Sequence, residues 1–134
     1  MIQTSSQEET INFIVNDLFR SIVYEKGVSF YSGPFGRLLF LAHYLQYHPE
    51  ENDDRFDRYA EQCFDAICSK PAIHTYCNGM AGVLECLRHL TRSGRLEVDY
   101  SEVEEQYKPH LLQCLQRDFA RDGDYDLLHG AMGV

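Results

Sequence analysis

The chain has 134 residues, a formal charge of −9 and 44% apolar residues. That is the composition of a folded domain rather than an acidic disordered tail, since Tyr and Phe alone supply 17 core-forming side chains. The negative balance excludes a phosphate-backbone partner, so no nucleic acid is expected. No apolar run approaches the ~20 residues that cross a bilayer, and residues 1–10 are polar with no basic-then-apolar leader, so no membrane span and a cytoplasmic location are expected.

The periodicity is helical almost throughout, and the expected fold class is all-α. Ile11, Ile14, Val15, Leu18, Phe19, Ile22 and Val23 form one apolar stripe on a first helix over about 8–26. Ser5, Ser6, Glu8 and Glu9 suit its start, because acidic groups favour the positive end of a helix, and Gly27 suits its stop. Residues 28–31 read as a short strand or an extended loop. A second helix follows Gly33 and Pro34. Its residues Leu38, Leu39, Phe40, Leu41, Ala42, Tyr44 and Leu45 are apolar nearly all round, which predicts burial on more than one side. After a polar turn over 48–54, a third helix carries the stripe Phe56, Tyr59, Cys63, Phe64 and Ile67 and ends at Pro71. The fourth helix, 79–89, is again apolar on most faces. Ser101 with Glu104 has the form of a capping box for a fifth helix, inside which Pro109 predicts a kink or a break.

Five cysteines stand at 63, 68, 77, 86 and 114, an odd number with no Cys-x-x-Cys pair. They read as reduced thiols acting as small apolar residues.

Three segments resemble one another: 29–36, 74–82 and 125–133. Each contains Gly-x-x-Gly opening an apolar helix, as Gly33 and Gly36, Gly79 and Gly82, and Gly130 and Gly133. The steps are 46 and 51 residues, and one amphipathic helix sits in each interval, so the unit is a helical hairpin. The first glycine is expected to take a positive φ at a tight turn into the helix. The second, lacking a side chain, admits a close neighbour. The free N–H groups of that first turn would point outward toward a polar or anionic ligand, or else the glycines serve packing alone. Buried helices alternating with one-sided helices suggest an inner and an outer ring. The chain ends at Val134, shortly after Gly130, so it is expected to be the amino-terminal part of a larger closed array, about two and a half hairpins.

These three glycine-rich segments, in particular 33–41, 77–84 and 125–134, resemble the first repeats of the lanthionine synthetase C-like family. The resemblance implies an α/α toroid, of which residues 1–134 would be an incomplete amino-terminal part. It also implies cyclisation of a precursor peptide, in which a cysteine thiol adds to a dehydrated serine or threonine, and one zinc that lowers the thiol pKa. The family's zinc ligands are two cysteines and a histidine, including an adjacent Cys-His pair in later repeats. This chain has no adjacent Cys-His pair, so no metal ligand is carried over and no cofactor is expected in it. Whether it is an enzyme by itself is left open, and inactivity alone is expected. The family's Tyr-Asp before the third repeat glycine matches Tyr125 and Asp126, which makes Asp126 the one candidate catalytic residue, holding or exchanging a proton. His129 precedes Gly130 but belongs to the third repeat and is not equated with the family's later proton-transfer histidine.

The remaining polar residues have plainer readings. Asp126 also suits a helix cap. His74 and Cys77 have ligand spacing, but two ligands do not make a zinc site. His43 and His89 fall at corresponding places near two helix ends, where a favourable interaction with the helix dipole is the modest account. Arg37 and Arg88 face either an inner cavity or the surface. Two other functions compete with the cyclase reading: a non-catalytic peptide-binding or assembly module that self-associates through exposed helix flanks, and a sugar-processing toroid. The absence of Trp weakens the latter.

Overall fold

The computed structural model describes residues 2–21, 29–31, 33–69 and 73–121. The described residues form α-helices α1 (Ile2–Ser21), α2 (Pro34–Tyr47), α3 (Asp54–Ser69), α4 (Met80–Arg92) and α5 (Tyr100–Phe119), with a 3-10 turn over Pro49–Glu51. There is no strand among the described residues, and Ser29, Phe30 and Tyr31 form an irregular loop. No described helix is long and apolar enough to cross a membrane.

Two antiparallel hairpins organise the chain. In the first, α3 turns back on α2 and the Tyr59 hydroxyl donates to the Pro34 carbonyl at 3.1 Å. In the second, α5 turns back on α4, so that its end reaches the loop before α4. The hairpins meet through α2 and α4, which run in the same direction. Contacts climb both helices together, from Phe30 beside Gly82, through Phe35 with Cys86, to His43 with His89. α1 lies against α3, where Phe19 meets Tyr59 edge-on and the Arg55 guanidinium sits 4.7 Å from the Phe19 ring centre.

The core is built mainly from α2, α3 and α4. Phe35, Leu38, Leu41, Met80, Val83, Leu87 and Leu90 are fully enclosed, and α3 contributes Phe56, Tyr59, Ala60, Cys63 and Ile67 at helical spacing. Burial of α2 is not all round, because Phe40 and Tyr47 are exposed. The stripe of α1 is covered only in part. Val15 is buried and Leu18 and Phe19 are half-buried, while Ile11 and Ile14 are exposed.

Several local expectations are corrected. α1 runs through Ser5 and Ser6 rather than beginning at them. α5 is capped by Asp99, whose Oδ1 accepts the Glu102 N–H at 3.3 Å, not by a box from Ser101 and Glu104. The side chain two positions nearer the loop reaches the first-turn donors, which is what an N-cap requires. Pro109 sits within α5, whose helical assignment is continuous from Tyr100 to Phe119.

Candidate functional site

The glycine-rich starts of α2 and α4 share one geometry, and it differs from the turn expected from sequence. Gly33 and Gly79 are the N-caps with φ of −117° and −142°, so neither uses a positive φ. The glycines answer to space instead. A Cβ on Gly36 would overlap the Phe30 carbonyl oxygen. A Cβ on Gly82 would overlap the Tyr76 carbonyl oxygen and come within 2.8 Å of Phe30 Cβ. A Cβ on Gly79 would strike the Ile73 carbonyl, and one on Gly33 would lie 2.7 Å from Ser29 Cβ. Each leading loop folds over the first turn of its own helix.

That folding also consumes the helix-start donors. Met80 N–H donates to the Ile73 carbonyl at 2.7 Å, Ala81 N–H to that of His74 at 3.3 Å, and Phe35 N–H to that of Ser29 at 3.3 Å. These N–H groups are therefore capped by the chain itself and do not face an anion, contrary to the sequence expectation. The two loops also join. Tyr31 N–H donates to the Cys77 carbonyl at 2.9 Å, and the Phe30 and Tyr76 rings meet edge-on at 5.7 Å.

Between α2 and α4 this leaves a groove of about 270 Å³, lined by Phe30, Leu39, His43, Tyr76, Glu85, Cys86 and His89. Its walls are repeat-equivalent pairs, for Phe30 and Tyr76, Leu39 and Glu85, and His43 and His89 are each 46 residues apart. Gly33, Gly36, Gly79 and Gly82 do not line it. They bring its aromatic floor close. At its far end the His43 and His89 Nε2 atoms stand 3.0 Å apart. The pair makes one hydrogen bond in which one ring donates and the other accepts, a tie between helices rather than the separate dipole interactions expected. At the rim Arg88 grips Glu85 with two hydrogen bonds, at 2.8 and 2.5 Å, and the guanidinium pKa rises through them. Within the wall the Cys86 thiol donates to the Phe35 carbonyl at 3.3 Å. Burial, helped by the neighbouring Glu85 charge, pushes its pKa up to about 12, so it stays protonated and is no nucleophile.

A second cavity of about 330 Å³ lies between α1 and α3 and is lined in part by Arg20, Arg55 and Arg58. Two of those charges are already engaged, Arg55 with Asp53 and Arg58 with Asp54.

His74 and Cys77 do not act together. His74 Nε2 donates to the buried Asp118 Oδ2 at 2.6 Å, which binds the loop before α4 to the end of α5. That bond holds the Asp118 carboxyl below its ordinary range. Burial opposes the shift and the Arg117 guanidinium at 3.3 Å reinforces it. Cys77 is buried, and its carbonyl receives Tyr31. Sequence reasoning missed the His74–Asp118 pair. The sole signal was the placement of both residues at opposite ends of one hairpin.

Asp126, Gly130 and Gly133 lie outside the described residues. Among the described residues the one trio of metal-capable side chains within 4.8 Å is His48, Glu50 and Glu51. The described cysteines 63, 77, 86 and 114 are all buried and belong to no such trio. The described residues thus do not fit a zinc held by two cysteines and a histidine.

Comparison with curated proteins and with solved structures gives no match. A family model does match: that of lanthionine synthetase C-like protein, over residues 24–134, which includes both hairpins and the groove between them. The chain belongs to the lanthionine synthetase C-like family.

Proposed function

We propose that this chain serves in lanthionine formation as a peptide-receiving wall of an α/α toroid, with the α2–α4 groove as the receiving surface. In that chemistry the sulfur of a peptide cysteine bonds to the β-carbon of a dehydrated serine or threonine, and a proton is added at the α-carbon. Since the described residues do not fit the zinc, thiol activation is not assigned to these helices. Their part is to bind and orient. The carrying observation is the groove itself, lying within the family match and walled by equivalent residues of two repeats.

The groove suits a short peptide segment. The Phe30 and Tyr76 rings offer an apolar floor for a small side chain, and the imidazoles and the Glu85–Arg88 pair offer polar edges for its backbone. Asp126 is proposed to hold or exchange the proton during thiol addition. The reaction is placed in the cytoplasm, where a substrate cysteine stays reduced.

Titrating the labelled 134-residue chain with a peptide carrying cysteine and dehydroalanine tests this by NMR. Shifts are expected at Phe30, His43, Tyr76 and His89, with ring closure no faster than in the peptide alone even when zinc is supplied. Absence of shifts in the groove, or catalysed closure, would refute this assignment.

The exposed Ile11, Phe13 and Ile14 on α1 favour a second reading, in which the chain also self-associates. Light scattering should then show a dimer or larger species. A monomer at high concentration would dismiss it.

A further inference from the structure

We propose that the cavity between α1 and α3 is an oxyanion site for a single phosphate group, held by Arg20, Arg55 and Arg58. It is distinct from the α2–α4 groove, and α1 lies outside the residues that the family model matches.

Charge carries most of the weight. The chain holds 12 Lys and Arg against 21 Asp and Glu. Three of those 12 line this one cavity of about 330 Å³, and no carboxylate lines it. Helix period puts them there. Arg55, Arg58 and Gln62 stand on one face of α3 at steps of three and four, opposite Asn16, Phe19 and Arg20 on α1, where the steps from Asn16 are again three and four.

One arginine is fixed in advance. The Arg55 Nε–H donates to both Asp53 oxygens, at 2.9 and 2.7 Å, and its Nη1 donates to Asn16 Oδ1 at 3.2 Å. Asn16 is itself held, since its Nδ2 donates to the Asn12 carbonyl at 2.9 Å. With Phe19 beneath it, the guanidinium is pinned in place, and its Nη2 has no hydrogen bond to a described residue. The other two arginines close on a ligand. Arg20 is exposed and has no ion pair with a described residue. Arg58 bonds Asp54 one turn back, but the two side chains are 63% and 76% exposed, so water screens the pair and the guanidinium can swing to a stronger anion. The exposed amide of Gln62 adds a further donor.

The donor set selects the anion. One guanidinium fork satisfies a carboxylate. Three guanidiniums suit a group with three free oxygens and a charge of about −1.5 to −2, as on a phosphorylated side chain or free phosphate. A long polyanion is disfavoured, because a net charge of −9 repels every phosphate beyond the first.

Calorimetric titration of the whole chain at low salt tests the site with a capped phosphoserine tripeptide, inorganic phosphate and the matching glutamate tripeptide. Phosphate in at least one form should bind about tenfold more tightly than glutamate, and the tighter form tells a phosphorylated side chain from the free ion. Arg20→Gln and Arg58→Gln should each weaken that binding about tenfold. Arg92→Gln, at an exposed arginine outside the cavity, should leave it unchanged. No binding of either phosphate probe, glutamate bound as tightly, affinity unchanged in both cavity variants, or an equal loss in Arg92→Gln would overturn the proposal. Amide shifts in the unsubstituted chain give a readout independent of variant folding. Phosphate should move residues 16, 20, 55, 58 and 62, and shifts centred on 39–43 and 85–89 would refute the site.

Discussion

At the start of α2 the Phe30 carbonyl lies over Gly36, and at the start of α4 the Tyr76 carbonyl lies over Gly82. The backbone device is the same, yet the α4 start is more heavily tied. Gly82 is closed in by both loops, since Phe30 Cβ from the first repeat also reaches it, while the nearest neighbours of Gly36 all come from its own loop. The loop before α4 is further bound to α5 through His74 and Asp118. A repeat therefore reproduces backbone packing, while side chains at unrepeated positions decide how firmly each copy is held.

The largest effect should come from the glycines. Gly82→Ala must displace a carbonyl and a neighbouring side chain, and should cost about 3 kcal/mol in urea unfolding. Gly36→Ala should cost somewhat less, about 2 kcal/mol. Gly94→Ala is the control. Gly94 has φ +70° with open space around it, so only backbone strain of about 1 kcal/mol applies. Equal losses at positions 36 and 82 would erase the distinction between the α2 and α4 starts.

Next is the His74–Asp118 tie. Asp118→Asn should speed amide exchange in loop 73–79 and, before α2, only at Tyr31, whose N–H is held by the Cys77 carbonyl of that loop. The sign of its pH dependence follows from the depressed carboxyl. Folded Asp118 titrates below its ordinary value of 3.8, so its contribution is present above that pH and disappears as the pH falls through the folded value. The stability difference between parent and variant should therefore shrink in acid below about pH 3.8.

Asp99→Ala removes the cap of α5 and should cost about 1 kcal/mol by the same unfolding measurement. It loosens the second hairpin without touching either glycine, so it separates helix stability from the packing of loop on glycine.

The smallest effects are at high pH. Burial, with the Glu51 hydrogen bond and the Glu51 and Glu50 charges, pushes the Tyr44 phenol up to about 12. Burial does the same to the Cys86 thiol. Both protonated forms are favoured by folding, so stability should fall as pH climbs through the unfolded values toward about 12. Ultraviolet titration should show Tyr44 among the late-ionising tyrosines, with Tyr100 also raised by burial, and Cys86 should resist iodoacetamide until the chain unfolds.

Helix order and the 46-residue recurrence were legible in the residues, because glycine and apolar spacing act locally. The stripe of α3 was legible for the same reason. The stripe of α1 was misleading, since periodicity marks an apolar face without saying what covers it; Ile11 and Ile14 are left in water. The turns into α2 and α4 were misread because a glycine needed for clearance looks identical in sequence to one needed for a positive φ. The candidate groove was half legible. Equivalent positions of His43 and His89 were visible, but not that their nitrogens meet.

Residue order alone thus specified a helical chain with a recurring hairpin, since helix period, proline placement and glycine each act within a few neighbours. Packing alone brought His43 to His89 and His74 to Asp118, across 46 and 44 positions of chain. The first closes only when two hairpins stack in one direction, with carbonyls resting where glycines carry no side chain, and the second when α5 folds back along α4.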